Sequence, residues 1–412
     1  VATLIRRLAG FSTLPFISAI LPFVAIPIVG RASGEDGWVA FNVGQAVGTY
    51  AAAVGYVGWN ALGTPMVAVE TSSEARHELY GRSFYARLPI IAAVAVGAAI
   101  IGALLAPGAT VGVAVTFAIA GALGGFGVSW YAVGVSSISI IVWFEIVPRA
   151  IATAIAIGLL LWTGDVVWYG VAMIVAAVAG VLAFHLVHLR RVFPRWVGWR
   201  RVRSDIQGLR SAWGVEVVGN LYSNAPVPIV AATSSPAASA SYGSSDRIYR
   251  YGLLGVVAMG NALQGWALEA RGDHRRARNL ASIGIMLALG LVGFAFLVFL
   301  GVPASQLIFG EELAADPAML FWLGVSYIAI STSTPLIRNV LLPARREGSV
   351  LWVTTASAIL GLSGMLIGGI AFGPVGVAAG LALSEVFTLL CCVWYSRRTG
   401  LAEPLASGAA AR

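Results

Sequence analysis

The sequence predicts an all-α membrane protein with about twelve transmembrane helices arranged in two six-helix lobes. Three observations carry that expectation. Apolar runs of about twenty residues recur along the chain, the length a helix needs to cross a hydrocarbon layer of roughly 30 Å at 1.5 Å per residue. Of 412 residues, 58% are hydrophobic and 11% charged, with a mean hydropathy of +0.86, whereas a soluble domain is roughly 25% charged. All 26 basic residues are arginine, and they cluster in short blocks between apolar runs, the pattern that orients a helix bundle in a bilayer.

Measured by that length, spans fall near 11–31, 38–61, 88–106, 111–133, 145–162, 166–188, 213–235, 248–268, 281–301, 317–338, 349–372 and 376–396. None of the runs shows the ten-residue alternation of a porin strand. The first, Phe11 to Val29, follows Arg6 and Arg7 without an evident cleavage site, so it reads as a spanning helix rather than a signal peptide. The stretch 134–148 is the one place where the count could change by one.

Orientation follows from the arginines. With both termini in the cytoplasm, 23 of the 26 lie inside, seven of them between Arg190 and Arg210, and only Arg31, Arg247 and Arg250 lie at the outer face. The outer connections instead carry Glu35, Asp36, Asp165, Glu311, Glu312 and Asp316. The expectation is therefore a multi-pass protein of a bacterial inner membrane. Trp38, Trp162, Trp168, Trp196, Trp199 and Trp213 flank the runs, as interfacial anchors do, with simple packing the alternative for some of them. The long basic connection divides the chain into an N-terminal six-helix lobe at 1–188, a basic cytoplasmic linker at 189–212, a C-terminal six-helix lobe at 213–396 and a short cytoplasmic tail at 397–412 expected to be disordered. Two such halves suit alternating access, in which they rock against each other.

The formal charge of +8 does not imply nucleic-acid binding, because the arginines sit between membrane spans. Adjacent Cys391 and Cys392 offer no spaced framework for a disulfide or zinc. The histidines His77, His185, His188 and His274 fall at or near the inner face. His185 and His188 share one side of a helix but lack an acidic partner, so an interfacial role is expected rather than metal binding. No phosphate-binding glycine loop of the Walker type occurs, which argues against ATP hydrolysis by this chain.

The informative residues are ionisable or polar groups at apolar depth, which in membrane proteins face a bundle interior or water. Arg31 closes the first span on the outer side, while Asp246, Arg247 and Arg250 are expected to open the eighth from the same side. If Arg31 approaches the other two, three guanidinium groups form an anion-binding patch; the alternative is that they snorkel to headgroups. Glu216, Asn220 and Asn224 recur every four residues and line one polar stripe of the seventh span. Pro226 and Pro228 should bend that span, either as a gate or as static packing. Glu145 and Arg149, four apart, are expected to pair on one helical face. Glu385 lies mid-span in the twelfth helix and either pairs across the bundle or carries a proton. Arg338 and Asn339 end the tenth span, where headgroup contact or an inner gate is expected.

Several segments resemble the polysaccharide transporter, or O-antigen-flippase-like, family of the multidrug/oligosaccharidyl-lipid/polysaccharide exporter (MOP) superfamily. They are Ser129, Trp130 and Tyr131 followed by Gly134; Pro148 and Arg149; and Asn220 to Asn224 leading to Ala240 through Arg247. Leu307 to Gly310 and the Gly373, Pro374, Gly376, Ala379 segment are similar as well, in the family's order. The chain is short for that family. The resemblance implies a flippase/MATE-like fold and a flippase translocating a polyprenyl-diphosphate-linked oligosaccharide for cell-surface polysaccharide biosynthesis. It also implies coupling to a proton or sodium gradient, membrane lipids as surroundings, and polymerase or glycosyltransferase machinery as partners, with no bond cleaved by the chain itself. The alternative is a cation-coupled exporter of drugs or small metabolites of the same superfamily, which should carry more acid in its cavity. A membrane enzyme would need longer outer loops, and a non-transporting scaffold would need no wet interior.

Overall fold

The computed structural model describes the backbone of residues 2–269 and 273–399, and side chains at 25–269 and 274–398. Twelve long helical passes account for the described residues: α1 (2–33), α2 (35–55), α3 (Ser73–Leu105), α4 (Val111–Leu123), α5 (Val147–Thr163), α6 (Val167–Phe184), α7 (Trp199–Asn224), α8 (Pro236–Leu268), α9 (Asp273–Ala295), α10 (Pro317–Pro335), α11 (347–372) and α12 (374–399). Shorter helical pieces extend several of them, among them Trp59–Val69, Ser129–Gly134, Ile138–Ile141, Pro226–Thr233 and Gly301–Phe309.

Among the described residues, seven continuous helices are long and apolar enough to cross a membrane, and one of these, Glu347–Arg398, contains two passes. The remaining four passes are α1, α2, α7 and α8, and the last two carry the polar stretches that lower their hydropathy. The all-α, twelve-helix expectation therefore holds. The difference lies in the ends. Helix α8 begins at Pro236, twelve residues before the expected start, capped by Ser235 accepting from Ala238 N–H. Helix α7 begins at Trp199 rather than 213. Hydropathy marks the apolar stretch of a helix, whereas caps and backbone hydrogen bonds carry the helix through adjoining polar turns.

Two sharp reversals join consecutive passes, and both use glycine. Gly34 between α1 and α2 and Gly373 between α11 and α12 each have φ 62°, a left-handed conformation that side chains other than glycine's resist. After the second reversal the two helices meet backbone to backbone. A Cβ at Gly368 would overlap Gly376, and a Cβ at Gly380 would lie 2.5 Å from the Gly364 carbonyl carbon. Two small-residue pairs spaced by four thus let α11 and α12 approach as closely as their backbones allow.

The chain divides into two compact units, 1–231 and 232–412. In the first, α2 packs along α4, α3 against both, and α5 against α6. In the second, α10 packs on α9 and on the α11–α12 hairpin, and α8 on α9 and α10. The first unit ends inside Pro226–Thr233, and the basic connection and α7 are fastened to it. Arg82 of α3 forms a forked ion pair with Asp205, with Nε to Oδ2 at 2.9 Å. Arg201 pairs with Glu78, and Trp213 Nε1 donates to Val54 O at 2.8 Å. Trp38 is fully buried and packs against Phe41, so it does not anchor at an interface, whereas Trp162 and Trp199 are exposed.

The α11–α12 contact makes a direct prediction. Gly368→Leu should destabilise the protein by about 1–3 kcal/mol or more, since overpacking against backbone cannot relax by a rotamer change. Gly284→Ala, where an added Cβ meets nothing within 4 Å, should leave the melting temperature of the detergent-purified protein unchanged.

Candidate functional site

In the second unit the polar residues gather on α8. Ser239, Ser244, Ser245 and Asp246 are all buried, with Asp246 only 5% exposed. Asp246 lies ten residues beyond Pro236, roughly 15 Å along the axis, and Arg250 about four turns in. These residues therefore do not open the helix but lie within it. Arg250 Nε donates to Asp246 Oδ2 at 2.6 Å. The second carboxylate oxygen of Asp246 and the hydroxyl of buried Tyr242, one turn earlier, make no hydrogen bond among the described residues. Ser245 turns its hydroxyl onto Ser241 O at 2.9 Å, and Ser241 bonds Ala314 O at 2.7 Å, so the stretch is braced by neighbouring backbone. Arg247 is half-buried beside them.

In the first unit Arg31 is exposed at the end of α1. The expected polar stripe on α7 exists. Its asparagines turn inward along the helix: Asn220 Nδ2 donates to Glu216 O and Asn224 Nδ2 to Asn220 O, each at 2.9 Å. This i−4 back-bonding satisfies one donor of each side chain within the helix. Glu216 reaches the first turn of Trp59–Val69, with Asn60, Gly58 and Ala61 as polar neighbours, and its Oε2 is buried without a hydrogen bond. The helix is interrupted at Ala225, just before Pro226, and resumes as Pro226–Thr233, where the prolines lack the N–H groups that would continue the ladder. In the second unit Glu385 is half-buried on α12, and Asn339 is buried in a π-helical turn, Leu336–Leu341, where Arg338 donates to Asn261 Oδ1 at 2.8 Å.

Glu145 and Arg149 do not form an ion pair. The Glu145 carboxylate instead accepts from Val128 N–H at 2.6 Å and from the Ser129 hydroxyl at 2.8 Å. It lies in a π-helical turn, Val142–Ile146, which points it at the start of Ser129–Gly134 rather than along its own helix. The turn just before Ser129–Gly134 is held from its other side by Arg87, a residue not expected from the sequence. Arg87 is fully buried, donates to the carbonyls of Gly125 at 2.8 Å and Gly127 at 3.2 Å, and stacks over Trp130 with 5.7 Å to the ring centre. The signal available was a lone arginine at the edge of the apolar run 88–106. The expected interfacial pair of histidines is likewise corrected: His185 is 1% exposed, sharing a 3.0 Å hydrogen bond with Tyr80 and bonded through Nδ1 to Val192 O at 2.8 Å. Among the described residues no group of three or more histidine, cysteine or acidic side chains could hold a metal ion.

No protein-family model matches the sequence, and no curated protein matches it. Its fold, however, is shared with solved transporters. An inward-facing multidrug resistance MATE family transporter of the MOP superfamily is similar at TM-score 0.62 and 14% identity, covering 93% of this chain and 97% of that one. Lipid II flippase MurJ in an inward closed conformation is similar at TM-score 0.74 and 11% identity, covering 94% and 87%. A MATE protein in a bent conformation gives 0.51 and 15%, covering 94% and 93%. The flippase/MATE-like, twelve-helix membrane fold expected from the sequence is thus the fold of this chain.

The Arg87 brace is directly testable. Arg87→Ala should lower stability by about 1–3 kcal/mol or more, the effect of leaving buried carbonyls without their donor. Arg87→Lys should restore part of it, because one nitrogen, Nη1, makes both carbonyl contacts and an ammonium can do the same, while the flat stacking over Trp130 is lost; thermal melts of the three proteins measure both.

Proposed function

We propose that this chain is a flippase that moves a polyprenyl-diphosphate-linked oligosaccharide across a bacterial inner membrane by alternating access, serving cell-surface polysaccharide synthesis. The observation that carries this reading is the Asp246, Arg247, Arg250 stretch seated deep in α8, in a fold shared with a lipid II flippase. Holding charge at such depth is costly unless it meets an ionic ligand or water. In this reading Arg247 and Arg250 of the second unit receive the diphosphate, whose oxygens match the guanidinium fork. Arg250 is already engaged by Asp246, so an arriving diphosphate competes with the carboxylate for it. Glu216, Asn220 and Asn224 offer polar atoms to sugar hydroxyls, and the break before Pro226 and Pro228 supplies a bend for gating. Glu385 is the candidate for coupling to a proton or sodium gradient, while Glu145 holds the turn at Val128 and Ser129 instead of pairing with Arg149. The polyprenyl tail stays in the lipid and no bond is cleaved.

A second reading, a cation-coupled exporter of drugs or small metabolites, draws support from the fold shared with MATE transporters and from the acid of Asp246 at depth. One experiment separates them. In proteoliposomes carrying a fluorescent polyprenyl-diphosphate saccharide, the protein should equilibrate the label between leaflets, and Arg247→Ala with Arg250→Ala should slow this at least tenfold while the protein stays folded. Unchanged flux in the double variant, or transport of a cationic dye in place of the lipid, rejects the flippase reading.

A further inference from the structure

Outside the residues considered for transport, the first unit holds two cavities that share one wall. The wall is the connection after α6. Tyr85 donates to Pro194 O at 2.8 Å, His185 binds Val192 O, and the amide of Arg191 donates to His185 O at 3.1 Å, so this segment is fixed against α3 and α6. Gly81 allows the close approach, since a Cβ there would lie 3.2 Å from Arg195 O.

On one side of the wall lies a cavity of about 630 Å³ bordered by His77, Arg191, Arg195, Trp196 and Arg201. Glu74 and Glu78 also line it, but each is taken by an arginine, Arg195 at 3.2 Å and Arg201 respectively. Arg191 forms no ion pair among the described residues and leaves the cavity with a net positive charge. On the other side lies an almost wholly apolar groove of about 160 Å³, walled by Phe84, Leu88, Val178, Val181, Leu182 and Phe193. Arg191 and Phe193, two residues apart in a bent segment, line the charged cavity and the greasy groove respectively. Around them Val187, Phe193 and Trp199 are exposed by more than 60%, which in a membrane protein marks the lipid-facing boundary.

We propose that these paired cavities bind one anionic glycerophospholipid, its phosphate in the cavity beside Arg191 and His77 and an acyl chain in the groove under Phe193. Charge selects the headgroup, and the adjoining groove selects a lipid over a free phosphate. The site fastens the connection to α3 and so ties the local lipid to the part of the chain that carries α7.

Native mass spectrometry of the detergent-purified full chain tests this, with phosphatidylglycerol and phosphatidylcholine of matched chains as probes. Wild type should retain one phosphatidylglycerol at least fivefold better than phosphatidylcholine. Arg191→Glu should abolish that preference, and Arg191→Gln should reduce it in the same direction if charge reversal harms folding. Arg200→Glu, an equal change of charge at an exposed residue outside both cavities, should keep it. Phe193→Ala should weaken retention of both lipids. Equal retention of the two lipids by wild type, equal losses in the Arg191 and Arg200 variants, or displacement of the lipid by millimolar glycerol phosphate would overturn the proposal.

Discussion

Within a bilayer no water is available to satisfy a stray polar group, so each one must find a partner inside the protein. That constraint orders most of the local structure here. Serine, threonine and asparagine side chains fold back on carbonyls one turn earlier, as in Asn220, Asn224, Thr332, Thr334 and Thr354. A charge cannot be treated so cheaply. Arg87 is therefore enclosed by two carbonyls and an indole, and Glu145 by an amide and a hydroxyl. Both grip the turn that precedes Ser129–Gly134, and that turn sets Trp130 and Tyr131 into the aromatic cluster with Tyr80 and Phe184.

The same constraint explains where polar groups could not be fully absorbed. Asp246 pairs with Arg250 on one oxygen and leaves the other, with Tyr242 nearby, without a hydrogen bond among the described residues. Glu216 is in a comparable position. A buried carboxylate oxygen without a partner costs about 1–3 kcal/mol or more.

The number and kind of helices were legible from the apolar runs because twenty apolar residues have few other fates. Helix ends were not, because Pro236 and Trp199 start helices in polar sequence that hydropathy scores as loop. The stripe Glu216, Asn220, Asn224 was legible from its four-residue period, and the break before Pro226 from the missing N–H. The partners of Glu145 were not. A four-residue spacing favours Arg149 only on a regular α-helix, and the π-helical turn at Val142–Ile146 rotates the carboxylate away. Arg87 and His185 were missed for a related reason: their partners lie 38 to 105 residues away in sequence, and no local pattern carries contacts of that range.

The division of the chain follows from the same chemistry. A basic connection between two apolar halves reads as a linker when only charge is counted. Here its charges are spent on the first unit: Asp205 takes Arg82, while Arg195 and Arg201 take Glu74 and Glu78 of the extended start of α3. Helix α3 is 33 residues long, about 50 Å at 1.5 Å per residue, so it outruns a bilayer and offers those acids beyond it. Exposed pairs of this sort contribute little singly, but Asp205 is largely buried and Trp213 and Gly58 lock the next turns of α7. Beyond α7 the helix is interrupted between Ala225 and Pro236, and because prolines there have already removed backbone hydrogen bonds, that stretch is where the chain bends at least cost.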